Sequence, residues 1–165
     1  MEKPIKPAMS LWKKLFIGAM ALVLVFKIFG IIVEDQKSVP ALIQIREVSG
    51  KTLGEVEKIL GKGTLESKWK NDRAGCSACP RYSFQAGKYD IIFINDIADR
   101  ITINRLGNYE YDDEVIMGLL GLPDATPSIQ NDLIKRWSSI EGYREIMAFN
   151  ENGKVNHLMV FTNAE

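Results

Sequence analysis

Residues 143–162, YREIMAFNENGKVNHLMVFT, carry the strongest local fold signal in this 165-residue chain. Two runs rich in β-branched and aromatic residues, 143–149 and 155–162, flank Asn150-Glu151-Asn152-Gly153. Asn-Gly between such runs predicts a β-hairpin, because both residues tolerate the positive φ that a tight hairpin turn demands. Working outward, 133–138 reads as a further strand. Before it, Asp112 or Asp113 caps a short helix over 114–120, which ends at Gly121 with Pro123 beyond.

The first half repeats that order. Thr52-Leu53-Gly54-Glu55 is a T-x-x-E capping box opening a helix with Leu53, Val56, Ile59 and Leu60 on one face and Gly61 as its stop. So short a helix must be held by packing against something else. Strands are predicted over 64–70, 81–84, 89–95 and 100–103, and Ile91-Ile92-Phe93-Ile94, apolar on both faces, belongs in the middle of a sheet. Glu55-Val56 before Ile59-Leu60-Gly61 mirrors Glu114-Val115 before Leu119-Leu120-Gly121 with one residue inserted. Trp69 and Trp137 each fall on a first strand, Tyr89 and Tyr143 each open a central strand, and Asn95 and Asn150 each open a turn. The expectation is an α+β domain over 46–165, built from two degenerate helix-plus-antiparallel-meander units, about 46–105 and 106–165.

A helix ending E-V-x-x-x-L-G, followed by a meander whose last hairpin reads F-N-x-x-G-K-V-x-x-L, resembles the half-domain shared by the β-lactamase inhibitor protein and the small lipoprotein of the outer-membrane β-barrel assembly machine. The resemblance covers about 46–163 and implies helices packed on one face of an antiparallel sheet, in tandem as in the inhibitor protein. This chain has no lipobox cysteine and a single close cysteine pair.

Location is read from the other end. Residues 15–33, LFIGAMALVLVFKIFGIIV, hold one charge and follow the basic segment 1–14 with Lys3, Lys6, Lys13 and Lys14. Nineteen residues at about 1.5 Å each reach roughly 28 Å, close to the ~30 Å hydrocarbon core of a bilayer. The expectation is a transmembrane helix acting as an uncleaved signal anchor in the cytoplasmic (inner) membrane, followed by a linker over 34–45. By the positive-inside rule the N-terminus stays in the cytoplasm and the C-terminal domain is exported. Lys27, an intramembrane charge just past the midpoint, either snorkels to the headgroups or pairs with a partner helix.

After residue 33 the chain holds 16 basic and 20 acidic side chains, a net charge of −4 that disfavours nucleic acid as a partner. Cys76-Ser77-Ala78-Cys79 is the conspicuous chemical motif: a structural disulfide in an exported domain, or a thiol redox site for which Arg73 and Arg81 would favour a thiolate. Two Cys and one His, His157, are too few for a structural zinc site, and no catalytic residue, cofactor or metal is assigned. Trp69, Arg73, Arg81 and Trp137 are the candidate partner contacts, an aromatic and arginine set of the kind that dominates protein interfaces. The function expected is a single-pass, extracytoplasmic protein-binding module acting on an envelope or membrane protein. The alternative is a thiol-disulfide redox protein or sensor using Cys76 and Cys79.

Overall fold

A computed structural model describes residues 39–71 and 76–162. Eight strands form one antiparallel sheet: β1 (Thr64–Asn71), β2 (Cys76–Phe84), β3 (Tyr89–Ile94), β4 (Ile97–Ile103), β5 (Ile129–Gln130), β6 (Ile134–Ile140), β7 (Tyr143–Glu151) and β8 (Lys154–Thr162). Their spatial order is β1-β2-β3-β4-β8-β7-β6-β5. Each half is a meander running inward from its own edge, and the two last strands meet at the centre, where Ile101 faces Val160. Among the described residues three helices, of four, eight and seven residues, accompany the sheet: α1 (Ile45–Val48), α2 (Leu53–Leu60) and α3 (Asp113–Leu119).

The duplication is visible in the register. Between β3 and β4 the pairing slips after Ile92↔Arg100, and between β7 and β8 it slips after Phe149↔His157, each residue lying 57 positions after its counterpart. The same shift carries the Asn95-Asp96 turn onto Asn152-Gly153, and all four residues have positive φ. Isolated bridges also correspond: Thr52↔Ile97 before the first long helix and Glu110↔Lys154 before the second. Extending the register from β3 and β7 outward places Trp137 where the first half has Phe84. The sequence match of Trp69 to Trp137 is therefore corrected, as are those of Tyr89 to Tyr143 and Asn95 to Asn150, whose true counterparts are Ile146 and Asn152. The strand of Trp69 corresponds instead to the two-residue β5.

Alternation decides the two faces. One cross-strand row reads Tyr82, Ile91, Ile101, Val160, Ile146 and Trp137. Its members from Ile91 to Trp137 are buried, against Ile45, Val48, Val56, Leu60, Ile116, Met117 and Leu119 from the helices. Burying an aliphatic side chain of this size contributes about 1.5–3 kcal/mol, which is how helices this short persist. Local chemistry fixes their starts. The Glu55 carboxylate accepts from the Thr52 backbone N–H at 2.9 Å and its hydroxyl at 2.7 Å, which holds the Glu55 pKa below its usual value. Asp112 accepts from the Glu114 N–H at 3.0 Å. At the end of α2, Gly61 has φ +86° with an extended ψ of −179°, so the chain leaves directly toward β1. The near-buried Lys135 is held by Asp113 at 2.5 Å and by the Tyr111 carbonyl at 3.2 Å, tying β6 to the start of α3.

Two expectations are corrected here. The fold is mostly β rather than α+β with an N-terminal transmembrane helix: among the described residues one eight-stranded sheet dominates three short helices, and no helix is long and apolar enough to cross a membrane. The segment 15–33, with Lys27, lies outside the described residues. Nor is 34–45 linker throughout. The compact unit begins at Val39, Ile43 and Ile45 are in the core, and the Leu42 and Ile43 N–H groups donate to the Leu119 carbonyl at 3.0 and 3.2 Å.

Candidate functional site: the bare face of the sheet

The helices cover one side of the sheet, and the opposite side carries an unusual set of residues. A row across seven strands reads Ser67, Arg81, Ile92, Arg100, Phe161, Glu145 and Ser138. The next reads Ser83, Asp90, Thr102, Met159, Met147 and Arg136. A solvent-facing antiparallel sheet ordinarily alternates apolar-in with polar-out. This outer face instead mixes Trp69, Ile92, Phe149, Phe161, Met147 and Met159 with four arginines.

The centre of the face is built around Arg100. Its guanidinium carbon lies 4.3 Å from the centroid of the Trp69 ring and 5.3 Å from that of Phe161. The Arg144 guanidinium carbon lies 5.6 Å from the Phe161 centroid. Asp99 sits in the β4 bulge with its side chain 2 % exposed, accepts from the Thr162 hydroxyl at 3.0 Å, and lies 3.6 Å from Arg100 Nε. That distance makes an ion pair but not a hydrogen bond, and Arg100 Nε is buried without one. Burial lowers the Arg100 pKa, with Asp99 acting against the shift and Arg144 adding to it.

Beside this cluster lies an open hollow of about 350 Å³ between Trp69 and His157, lined also by Arg81, Asp90, Ile92 and Met159. Arg81 donates to Asp90 at 2.9 Å, and Asn104 donates to the same carboxylate at 3.2 Å. His157 stacks on Phe149, with ring centroids 4.2 Å apart and planes 10° apart, and burial lowers its pKa. By the 57-residue shift His157 is the counterpart of Arg100, but its ring partner Phe149 replaces Ile92, whereas the rings against Arg100 come from β1 and β8.

The residues singled out from sequence divide. Trp69 and Arg81 are on this face. Trp137 is not: it is 1 % exposed in the core and donates from Nε1 to the Ala125 carbonyl at 2.8 Å, so it packs rather than binds. Arg73 lies outside the described residues. Cys76 and Cys79 form a disulfide within β2, directly beside Trp69, whose register partner is Cys79. Cys76 is 1 % exposed and its Sγ accepts the Cys79 N–H at 2.9 Å. The bond is thus seated in a strand, away from the helix N-terminus that activates redox pairs. Among the described residues no group of three or more His, Cys, Asp or Glu is arranged to hold a metal ion.

Arg100, Arg144, Phe149 and Phe161 were not singled out from sequence. A period-two reading of β8 finds part of the set, since His157, Met159 and Phe161 alternate with buried Leu158, Val160 and Thr162. No protein-family model, curated protein or solved structure matches this chain.

Proposed function

We propose that this protein is an envelope protein-binding module, tethered to the cytoplasmic membrane by its apolar segment 15–33 and engaging its partner through the bare face of the sheet. The observation that carries the reading is the composition of that face. Trp, Phe, Met and Arg are the residues enriched at interface cores, whereas Lys, common on ordinary surfaces, is absent from the two central rows. Aromatic and arginine side chains held against one another, as Trp69, Arg100 and Phe161 are, lose little freedom when a partner covers them. The tether rests on the length and apolarity of 15–33 and on the basic residues before it, which put the domain outside the cytoplasm. The redox alternative rests on Cys76 and Cys79 alone, and their placement within β2 favours a structural bond that shapes the end of that strand beside Trp69.

The test is co-purification from membranes with the full chain. Trp69→Ala and Phe161→Ala each remove the same captured protein, while Lys58→Ala, exposed on α2, leaves it. Retention in both face variants, with loss in Lys58→Ala, overturns the reading.

A further inference from the structure

The geometry points to the Arg100–Arg144 pair beside Phe161 as a receptor for a carboxylate side chain presented by the partner protein; this inference rests on the bare face being the binding face. Two guanidinium groups flank one aromatic ring there. Among the described residues Arg144 has no ion pair, and Arg100 has only Asp99 at 3.6 Å without a hydrogen bond. The other arginines of the face are already answered, Arg81 by Asp90 at 2.9 Å and Arg136 by Glu145 at 2.6 Å. The positive surplus of this surface is therefore local.

Its size and setting select the ligand. Arg100 and Arg144 supply two positive charges and Asp99 removes one, so a monoanion brings the site to neutrality, whereas a phosphate dianion would leave a negative excess in a partly desolvated place. The guanidinium fork matches the two oxygens of a carboxylate. Trp69 and Phe161 frame Arg100 with apolar rings that suit an Asp or Glu flanked by apolar side chains on a folded or extended protein segment. A carboxylate arriving there gains charge-assisted donors from two guanidinium groups.

The probe is a short, end-capped, fluorescein-labelled peptide alternating Glu and Val, with its Gln/Val analogue, added to the full chain in neutral detergent micelles and followed by anisotropy. The Glu peptide binds saturably and the Gln analogue binds about tenfold more weakly. Arg144→Gln, an exposed change that leaves the core intact, removes most of that difference; Arg100→Lys, which keeps the charge but not the fork, removes part of it; Lys58→Gln, exposed on α2, leaves it. Glu165→Gln also leaves it, and a rise in peptide affinity on that change overturns the inference by showing that the chain's own acid fills the site. Absence of saturable Glu-peptide binding overturns it, as does inorganic phosphate displacing the peptide at matched concentration or Arg144-dependent binding to phosphatidylglycerol vesicles instead of peptide. Equal binding of the Glu and Gln peptides, abolished by Trp69→Ala, ends the carboxylate assignment and leaves the binding face standing. Loss of the binding face itself is read separately, from co-purification that ignores Trp69 and Phe161.

Discussion

The two halves of the sheet share a frame and differ in what they add to it. In both, an isolated bridge to the sheet comes just before a helix, and a hairpin with the same register slip and the same positive-φ turn delivers the last strand to the centre. Outside that frame the halves part. The first ends in an eight-residue edge strand paired with a nine-residue neighbour that carries the Cys76–Cys79 bond within it, whereas the second ends in the two-residue β5. Trp69 sits on the added part, facing out, and Trp137 sits inside the shared frame, facing in. Repetition sets the strands whose inner side holds the fold, and departure from it adds Trp69 to the outer side of those same strands.

The largest test of that contrast is the pair of tryptophans. Trp137→Ala removes a buried indole and orphans the Ala125 carbonyl, so it lowers stability by about 3–5 kcal/mol in urea unfolding. Trp69→Ala, half-buried against Arg100, costs about 1 kcal/mol or less while removing partner binding. Equal destabilisation by the two would erase the division between frame and addition.

A second test lies at the join between helix and added strand. A Cβ at Gly63 would stand 2.7 Å from Cε1 of the buried Phe84 ring, so Gly63→Ala forces that ring or the strand to shift and costs about 1–3 kcal/mol by the same measurement. An unchanged midpoint would mean that α2 and β1 are less tightly coupled than their packing indicates.

Third, the equivalent turns can be exchanged. Asp96 holds φ +66° where the second half has Gly153 at +80°. Asp96→Gly relieves a side chain in the left-handed region and stabilises by about 0.5–1 kcal/mol, whereas Gly153→Asp loses a similar amount. Opposite signs in thermal unfolding confirm equivalence; the same sign for both breaks it.

The smallest effect depends on acidity and sharpens the match of Arg100 with His157. Burial holds the folded-state pKa of His157 below its ordinary value of 6.5. The unfolded chain therefore binds the proton more readily, so the stability supplied by the neutral ring is complete above pH 6.5 and is lost as pH falls through the folded-state value. His157→Gln flattens the upper part of that fall; Arg100, charged throughout, contributes no such slope.

How much of this was legible beforehand follows the range of the interactions. The Thr52–Glu55 box, the Asp112 cap and the Asn152-Gly153 turn are local, and the segments they delimit lie within a residue or two of where sequence put them. The strand pairing at the centre, Ile101 against Val160, joins residues far apart in sequence, and no local pattern announces it. Matching the two tryptophans by order along the chain failed for the same reason: counterparts are set by register, and the first half has a whole strand that the second barely has. Trp69 and Arg81 were visible as residue types. The Arg100–Arg144–Phe161 cluster was not, because it exists only where β4 and β7 flank β8.

The account is tested most directly by photo-crosslinking in living cells from both sides of the sheet, with a benzophenone amino acid placed at Ser83 and Ser138 on the bare face and at Lys58 and Ile59, exposed on α2. The account predicts one envelope protein crosslinked from Ser83 and Ser138 and not from Lys58 or Ile59. The same protein captured from α2 and missed from the sheet would contradict it.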